Sequence, residues 1–316
     1  MKILYPELET FRTHELARDG HRIYLEEVGN PNGYPVVILH GGPGSGCQAY
    51  HRRFFNPEQY HAILFDQRGS CRSMPQGGVE LNTTEHLLDD MECIRQLLGL
   101  DKWVLFGGSW GSTLSLLYAE RYPERVSGLI LRGTFLARDC DMEWFFGAEL
   151  REMYPEIWNH CFSGYPQSSV EELVHALATD LFSEDSNLVS NASLGFHTWG
   201  SQVILGSKFD LNLYALNHCM SEIISESRIG VHYAINRYFI RENQILDECH
   251  KLPQVPIFIF HGEQDLTCLV ESSRLLADAV PGSRLTVLKN AGHTSCSYPM
   301  VDALVNATDT LLECLS

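Results

Sequence analysis

Gly107-Gly108-Ser109-Trp110-Gly111 fits the pattern Gly-x-Ser-x-Gly. It follows the short apolar run Trp103-Val104-Leu105-Phe106 and precedes a helix-like stretch, residues 112–121. A serine on a tight strand-to-helix turn is held out of the fold with its hydroxyl exposed, and flanking glycines are needed where a side chain would collide with neighbouring backbone. That chemistry is nucleophilic, so Ser109 is the candidate nucleophile. The pentapeptide alone is compatible with a plain turn; its context makes the chemical reading the stronger one.

A serine hydroxyl attacks only when a base takes its proton, and the base needs a partner that fixes its tautomer. Asp265, in His261-Gly262-Glu263-Gln264-Asp265, follows one apolar run, and His293, in Asn290-Ala291-Gly292-His293-Thr294, follows another. The order Ser, Asp, His and the placement after strands make Asp265 and His293 the expected partners. Glu263 is the rival acid. Acyl transfer also builds negative charge on an oxygen, and losing one prearranged N–H donor costs about 2.7–4 kcal/mol. His40-Gly41-Gly42-Pro43-Gly44 lies where such a donor loop belongs, so the expected donors are the Gly42 and Trp110 backbones, with Gly41 beside them. A phosphate-binding loop is disfavoured, because no Gly-Lys-Ser/Thr follows.

The elements that must position these groups are legible as strand candidates at residues 22–28, 36–40, 62–65, 103–106, 128–131, 257–261 and 285–288, several of them unbroken apolar runs. Such runs suit parallel strands covered on both faces. Leu87, Met91, Ile94 and Leu98 recur at helical spacing between two of them, and residues 299–315 read as a closing helix. Alternating strands and helices predict an α/β fold with a mostly parallel sheet. The alternation breaks between about Arg138 and Cys249, where strands vanish and aromatics concentrate. The expected division is residues 1–137 and 250–316 as core and 138–249 as an inserted helical cap over the ligand-binding edge of the sheet.

The chain has 316 residues, is 44% hydrophobic and 10% aromatic, and carries a formal net charge of −17. That charge argues against nucleic acid, whose binding rests on neutralising phosphates. The ten cysteines are dispersed with no Cys-x-x-Cys pair, which reads as reduced thiols of a cytoplasmic protein without a zinc or dithiol motif. Residues 1–20 lack the apolar core of a signal peptide, and no apolar run is long enough to span a bilayer. The expected partner is a small-molecule or short-peptide substrate, with no metal, no cofactor and no membrane.

His40-Gly41-Gly42-Pro43-Gly44, Asp66-Gln67-Arg68-Gly69, Asn82-Thr83-Thr84, Gly107-Gly108-Ser109-Trp110-Gly111-Ser112, Leu131-Arg132-Gly133 and Asn290-Ala291-Gly292-His293 together resemble the proline iminopeptidases of the α/β-hydrolase fold. The resemblance implies Ser109, Asp265 and His293 as the triad, no metal, and release of an N-terminal proline. It also places Cys268 where the family has a pocket-lining cysteine. In similar enzymes a Trp-Glu-Gly and an Ile-Glu-Asn-His-Tyr-Phe stretch each supply a glutamate that holds the substrate's free amine. The matching stretches here are Trp199-Gly200-Ser201 and Ile229-Gly230-Val231-His232-Tyr233-Ala234, so both glutamates are glycine. Cys71 and Glu85 also stand where the family usually has glycine and often has tryptophan.

An ammonium buried without a counter-charge costs several kcal/mol. Glu149, Glu152, Glu222 and Glu226 are the acids that could compensate, each also readable as a solvated helix residue. The alternative is a pocket emptied for an uncharged acyl group, as in an esterase, lactonase, amidase or acyltransferase. Its apolar wall is then expected from Trp144, Phe145, Phe146, Trp199 and Tyr233, around Gly200 and Gly230, unless these aromatics simply pack the cap's own core.

Overall fold

The computed structural model describes residues 1–214 and 219–315. Eight strands form one sheet in the order β1-β2-β4-β3-β5-β6-β7-β8. They are β1 (Thr10–Arg18), β2 (His21–Gly29), β3 (Tyr34–Leu39), β4 (Tyr60–Phe65), β5 (Trp103–Gly108), β6 (Val126–Arg132), β7 (Ile257–Gly262) and β8 (Arg284–Leu288). β1 and β2, and β2 and β4, pair antiparallel; every other neighbouring pair is parallel. The strand absent from the sequence reading is β1. It is an edge strand whose residues are mostly exposed, so it carries no apolar run.

Alternate residues of each strand feed opposite layers, as the two-residue period requires. Val37, Leu39, Leu105 and Ile259 face one core, against α1 (Thr84–Leu97) and α2 (Trp110–Arg121). Val36, Ile38, Val104, Phe106, Phe258 and Phe260 face the other, against Phe54, Phe55 and the helix α12 (Tyr298–Leu315). Residues 110–120 of α2 are all buried, so this helix is clamped on every side. Leu87, Met91 and Ile94 line the buried face of α1, whose N-cap, Thr83, accepts the His86 N–H.

Between β6 and β7 the chain forms α3 (Asp139–Phe146), α4 (Ala148–Met153), α5 (Pro155–Phe162), α6 (Val170–Leu181), α7 (Ser186–Leu205), α8 (Leu211–Tyr214), α9 (Met220–Ile235) and α10 (Gln244–Glu248). Several of these helices share a separate core that includes Leu150, Trp158, Phe162, Leu177 and Trp199. The helix α11 (Val270–Ala279) covers β7 and β8.

The strand order reverses at β3. The chain runs from β3 to β4 on one side and then to β5 on the other. The loops leaving β3 and β5 therefore meet at a topological switch point, the place where open α/β sheets bind ligands. β6, β7 and β8 end at the same edge.

Candidate active site

Ser109 is the N-cap of α2 and sits at φ +57°, ψ −125°, a conformation costly for a residue with a side chain. The strain is imposed by close approach on both sides. A Cβ on Gly107 would lie 2.2 Å from the Gly111 carbonyl oxygen, and one on Gly111 would lie 2.0 Å from that of Leu39. Only glycines let β3, β5 and α2 meet this closely.

His293 Nδ1 and Asp265 Oδ2 are 2.7 Å apart. The other oxygen of Asp265 accepts the N–H groups of Thr267 (2.9 Å) and Cys268 (3.0 Å). Burial opposes ionisation of Asp265, yet His293, its hydrogen bond and His261 together hold the carboxyl below its ordinary pKa. Glu263, the rival acid, is exposed. Gly133, at φ +55°, packs on the pair: a Cβ there would be 3.2 Å from Asp265 Oδ2 and 3.3 Å from His293 Nδ1. Among the described residues Ser109 Oγ makes no hydrogen bond to His293. Its polar neighbour is Cys268 Sγ at 4.0 Å, and burial, reinforced by the Asp265 charge, keeps that thiol protonated.

The glycine loop after β3 lies against the serine. A Cβ on Gly41 would be 3.3 Å from Ser109 Cβ and 3.9 Å from its Oγ, and Gly42 takes φ +108°. His40 fixes the loop from below. Its Nε2 accepts the Gln67 N–H at 2.9 Å, and its Nδ1 lies 2.9 Å from the Gly41 carbonyl and 3.2 Å from the Gly46 nitrogen. Gln67 also donates to the His40 carbonyl and accepts from the Trp110 indole N–H, so one side chain ties the β3 loop to the start of α2. Arg68 of the same motif spends its guanidinium on Asp90, Asp19 and the Leu81 carbonyl. The backbone N–H groups of a helix's first turn have no partner inside the helix; Trp110 supplies one beside Ser109.

Two supports lay outside the sequence reading. Arg132 runs beneath Gly108 and donates to the His293 carbonyl at 2.5 Å. The signal was present in Leu131-Arg132-Gly133, at the end of β6. His261, fully buried, lies 2.7 Å from the Cys268 carbonyl and 3.5 Å from Asp265 Oδ2.

The expected aromatic wall is corrected at three positions. Trp199 is fully buried, donates to the Phe145 carbonyl and packs on Trp158 and Phe162; it belongs to the helical core. Phe146 is buried in that same core. Tyr233 is fully buried too, with its hydroxyl 3.0 Å from Asn82 Oδ1 and its ring on Trp110. Trp144 and Phe145 remain half-buried, and the Trp144 indole donates to the Leu266 carbonyl beside Asp265. A Cβ on Gly200 would meet nothing within 4 Å, whereas one on Gly230 would touch the Phe196 ring at 3.0 Å. Glu149, Glu152 and Glu222 are exposed on their helices, but Glu226 is not free in this way: its carboxylate accepts from Ser45 Oγ at 2.6 Å.

This sheet, with a serine on the turn after its fifth strand and an acid–imidazole pair at the same edge, defines an α/β hydrolase. A family model described as the alpha/beta hydrolase fold matches residues 34–298. A Pseudomonas aeruginosa hydrolase superposes with a TM-score of 0.67 at 17% identity, covering 96% of this chain and 99% of that one, and a Rhodococcus esterase superposes at 0.62 and 17%, covering 98% and 100%. Proline iminopeptidases of Xylella fastidiosa and Xanthomonas citri are each 38% identical, covering 99% and 98% of this chain and 100% and 99% of theirs. One from Arabidopsis thaliana is 35% identical over 96% of this chain and 80% of its own. The chain belongs to the proline iminopeptidase family.

Proposed function

We propose that this protein is a serine hydrolase that removes an N-terminal prolyl group from short peptides through an acyl-enzyme on Ser109. The observation that carries the reading is the 2.7 Å bond between His293 and Asp265, at the sheet edge that also presents a strained Ser109. Asp265 keeps the His293 proton on Nδ1 and leaves Nε2 bare. Nε2 takes the Ser109 proton as Oγ attacks the acyl carbon. The Gly42 and Trp110 N–H groups receive the oxyanion. The imidazolium then protonates the leaving amine as the C–N bond breaks. Water, deprotonated by the same imidazole, splits the ester and restores Ser109. The open Ser109–His293 contact is common in unliganded sites and tightens on substrate.

In this reading residues 138–249 act as a cap over the sheet edge. Trp144, Phe145 and Cys268 lie beside the acyl group, with Gly41 under it. The chemistry calls for no metal or cofactor. No described helix is long and apolar enough to cross a membrane. Ten unpaired cysteines support a cytoplasmic setting.

A second reading, hydrolysis of uncharged acyl groups as in an esterase, is favoured by one observation: the open space at Gly200, where the family resemblance implies a carboxylate. The two separate on proline 4-nitroanilide and its N-acylated form. Turnover confined to the free amine supports the peptidase; equal rates, or turnover of the blocked compound alone, remove amine recognition.

A further inference from the structure

We propose that Glu226 is the anionic anchor that holds a cationic acyl group, the free amine of an N-terminal residue, over Ser109. The inference deepens the proposed peptidase reading and rests on it. Gly200 and Gly230 offer no side chain where the family resemblance implies carboxylates, and the ring of Phe196 closes the space at Gly230. One turn earlier on each helix stands a polar side chain that faces the other. His197 precedes Gly200 by three residues and Glu226 precedes Gly230 by four, spacings that share a helix face. Their Nε2 and Oε2 atoms are 3.3 Å apart.

Glu226 is joined to the glycine loop beside the nucleophile. A Cβ on Gly44 would lie 3.2 Å from the Glu226 α-carbon, and Ser45 Oγ donates to Oε1 at 2.6 Å. Gly41, three residues before Gly44, touches Ser109. The carboxylate thus sits between α9 and the loop. Its side chain keeps 32% exposure, so it remains open to a ligand. An ionised carboxylate has about four acceptor sites. Ser45 and His197 account for one each, leaving room for the two N–H bonds of a protonated prolyl nitrogen. Burial works against the charge, but the hydrogen bond and charge of His197, with the Ser45 hydroxyl, hold the pKa of Glu226 below the ordinary value. The carboxylate is therefore ionised at neutral pH.

The other acids do not compete. Glu149, Glu152 and Glu222 are exposed, and Asp141 is held in a two-pronged contact by Arg138.

The test compares 4-nitrophenyl esters of proline and of cyclopentanecarboxylic acid, rings of one shape that differ in charge, with parent and Glu226→Gln enzymes. Glutamine keeps the shape and can still accept from Ser45. The ratio of kcat/KM for the cationic over the neutral ester is expected to fall about 10–100-fold in the variant, the loss of one charge-assisted hydrogen bond. An unchanged ratio overturns the proposal, and so does an equal fall on both esters, which would make Glu226 a prop for the loop. Parent enzyme that leaves proline 4-nitroanilide intact overturns the peptidase reading instead, while the ester ratio still decides the role of Glu226.

Discussion

His293 meets Asp265 through one carboxylate oxygen, and the other oxygen is taken by two backbone amides, so the acid cannot turn away from the imidazole. Asp265→Asn would present an amide to Nδ1 and favour the wrong tautomer. We expect kcat/KM to fall about 10⁴-fold with the fold retained. Circular dichroism and steady-state rates on proline 4-nitroanilide check it. A fall below tenfold would mean that the pair does not orient the base.

Glu120 is buried near the end of α2, both its oxygens lack a partner, and it borders a cavity of about 240 Å³. Burial, reinforced by Glu248 and opposed by Lys251, raises its pKa to about 9. The unfolded chain ionises this group from its ordinary pKa upward while the folded chain keeps the proton. The stabilisation is whole below the ordinary value and is lost as pH rises toward about 9. Glu120→Gln removes that loss. Between pH 5 and 8 the stability difference should move in favour of the variant by about 4 kcal/mol, read from denaturant midpoints. A difference that does not change with pH would show that Glu120 is ionised in the folded protein.

Cys71 takes φ +46°, a region that disfavours any side chain. Cys71→Gly should stabilise by about 0.5–1 kcal/mol after the entropy of a glycine in the unfolded chain is subtracted. Thermal melting decides it, and a lower Tm would show that the side chain's packing outweighs the backbone strain.

Trp199→Phe tests the corrected role of that residue. It removes the indole donor to the Phe145 carbonyl and part of the contact with Trp158. Stability should fall by about 1–2 kcal/mol while KM for proline 4-nitroanilide stays within twofold. A KM change without a loss of stability would return Trp199 to the substrate wall.

The central strands were legible because they are apolar on both faces; β2 to β8 each contain a run visible in the sequence. β1 was not, because an edge strand such as Thr-Phe-Arg-Thr-His-Glu buries too little to leave a pattern. The turns that carry Ser109, Asp265 and His293 were legible because glycines and strand ends mark them. The substrate-side residues were not. Residue type shows that Trp199 and Tyr233 are apolar enough to be covered, but which surface covers them depends on how α7 and α9 pack. Glu226 was one of four acids named from the sequence but could not be singled out, because its partners, Ser45 and His197, lie 181 and 29 positions away.

The union of α9 with Asn82 through His232 and Tyr233, and with Ser45 through Glu226, makes one helix answerable for two tasks. In the proposed reading, whatever tilts it to admit a new acyl group also nudges the β3 loop that would carry the amide donors. Selectivity and turnover in this enzyme are thus mechanically yoked, and resurfacing α9 to broaden the diet of the protein will exact a toll in speed unless the Ser45 tether is redesigned with it.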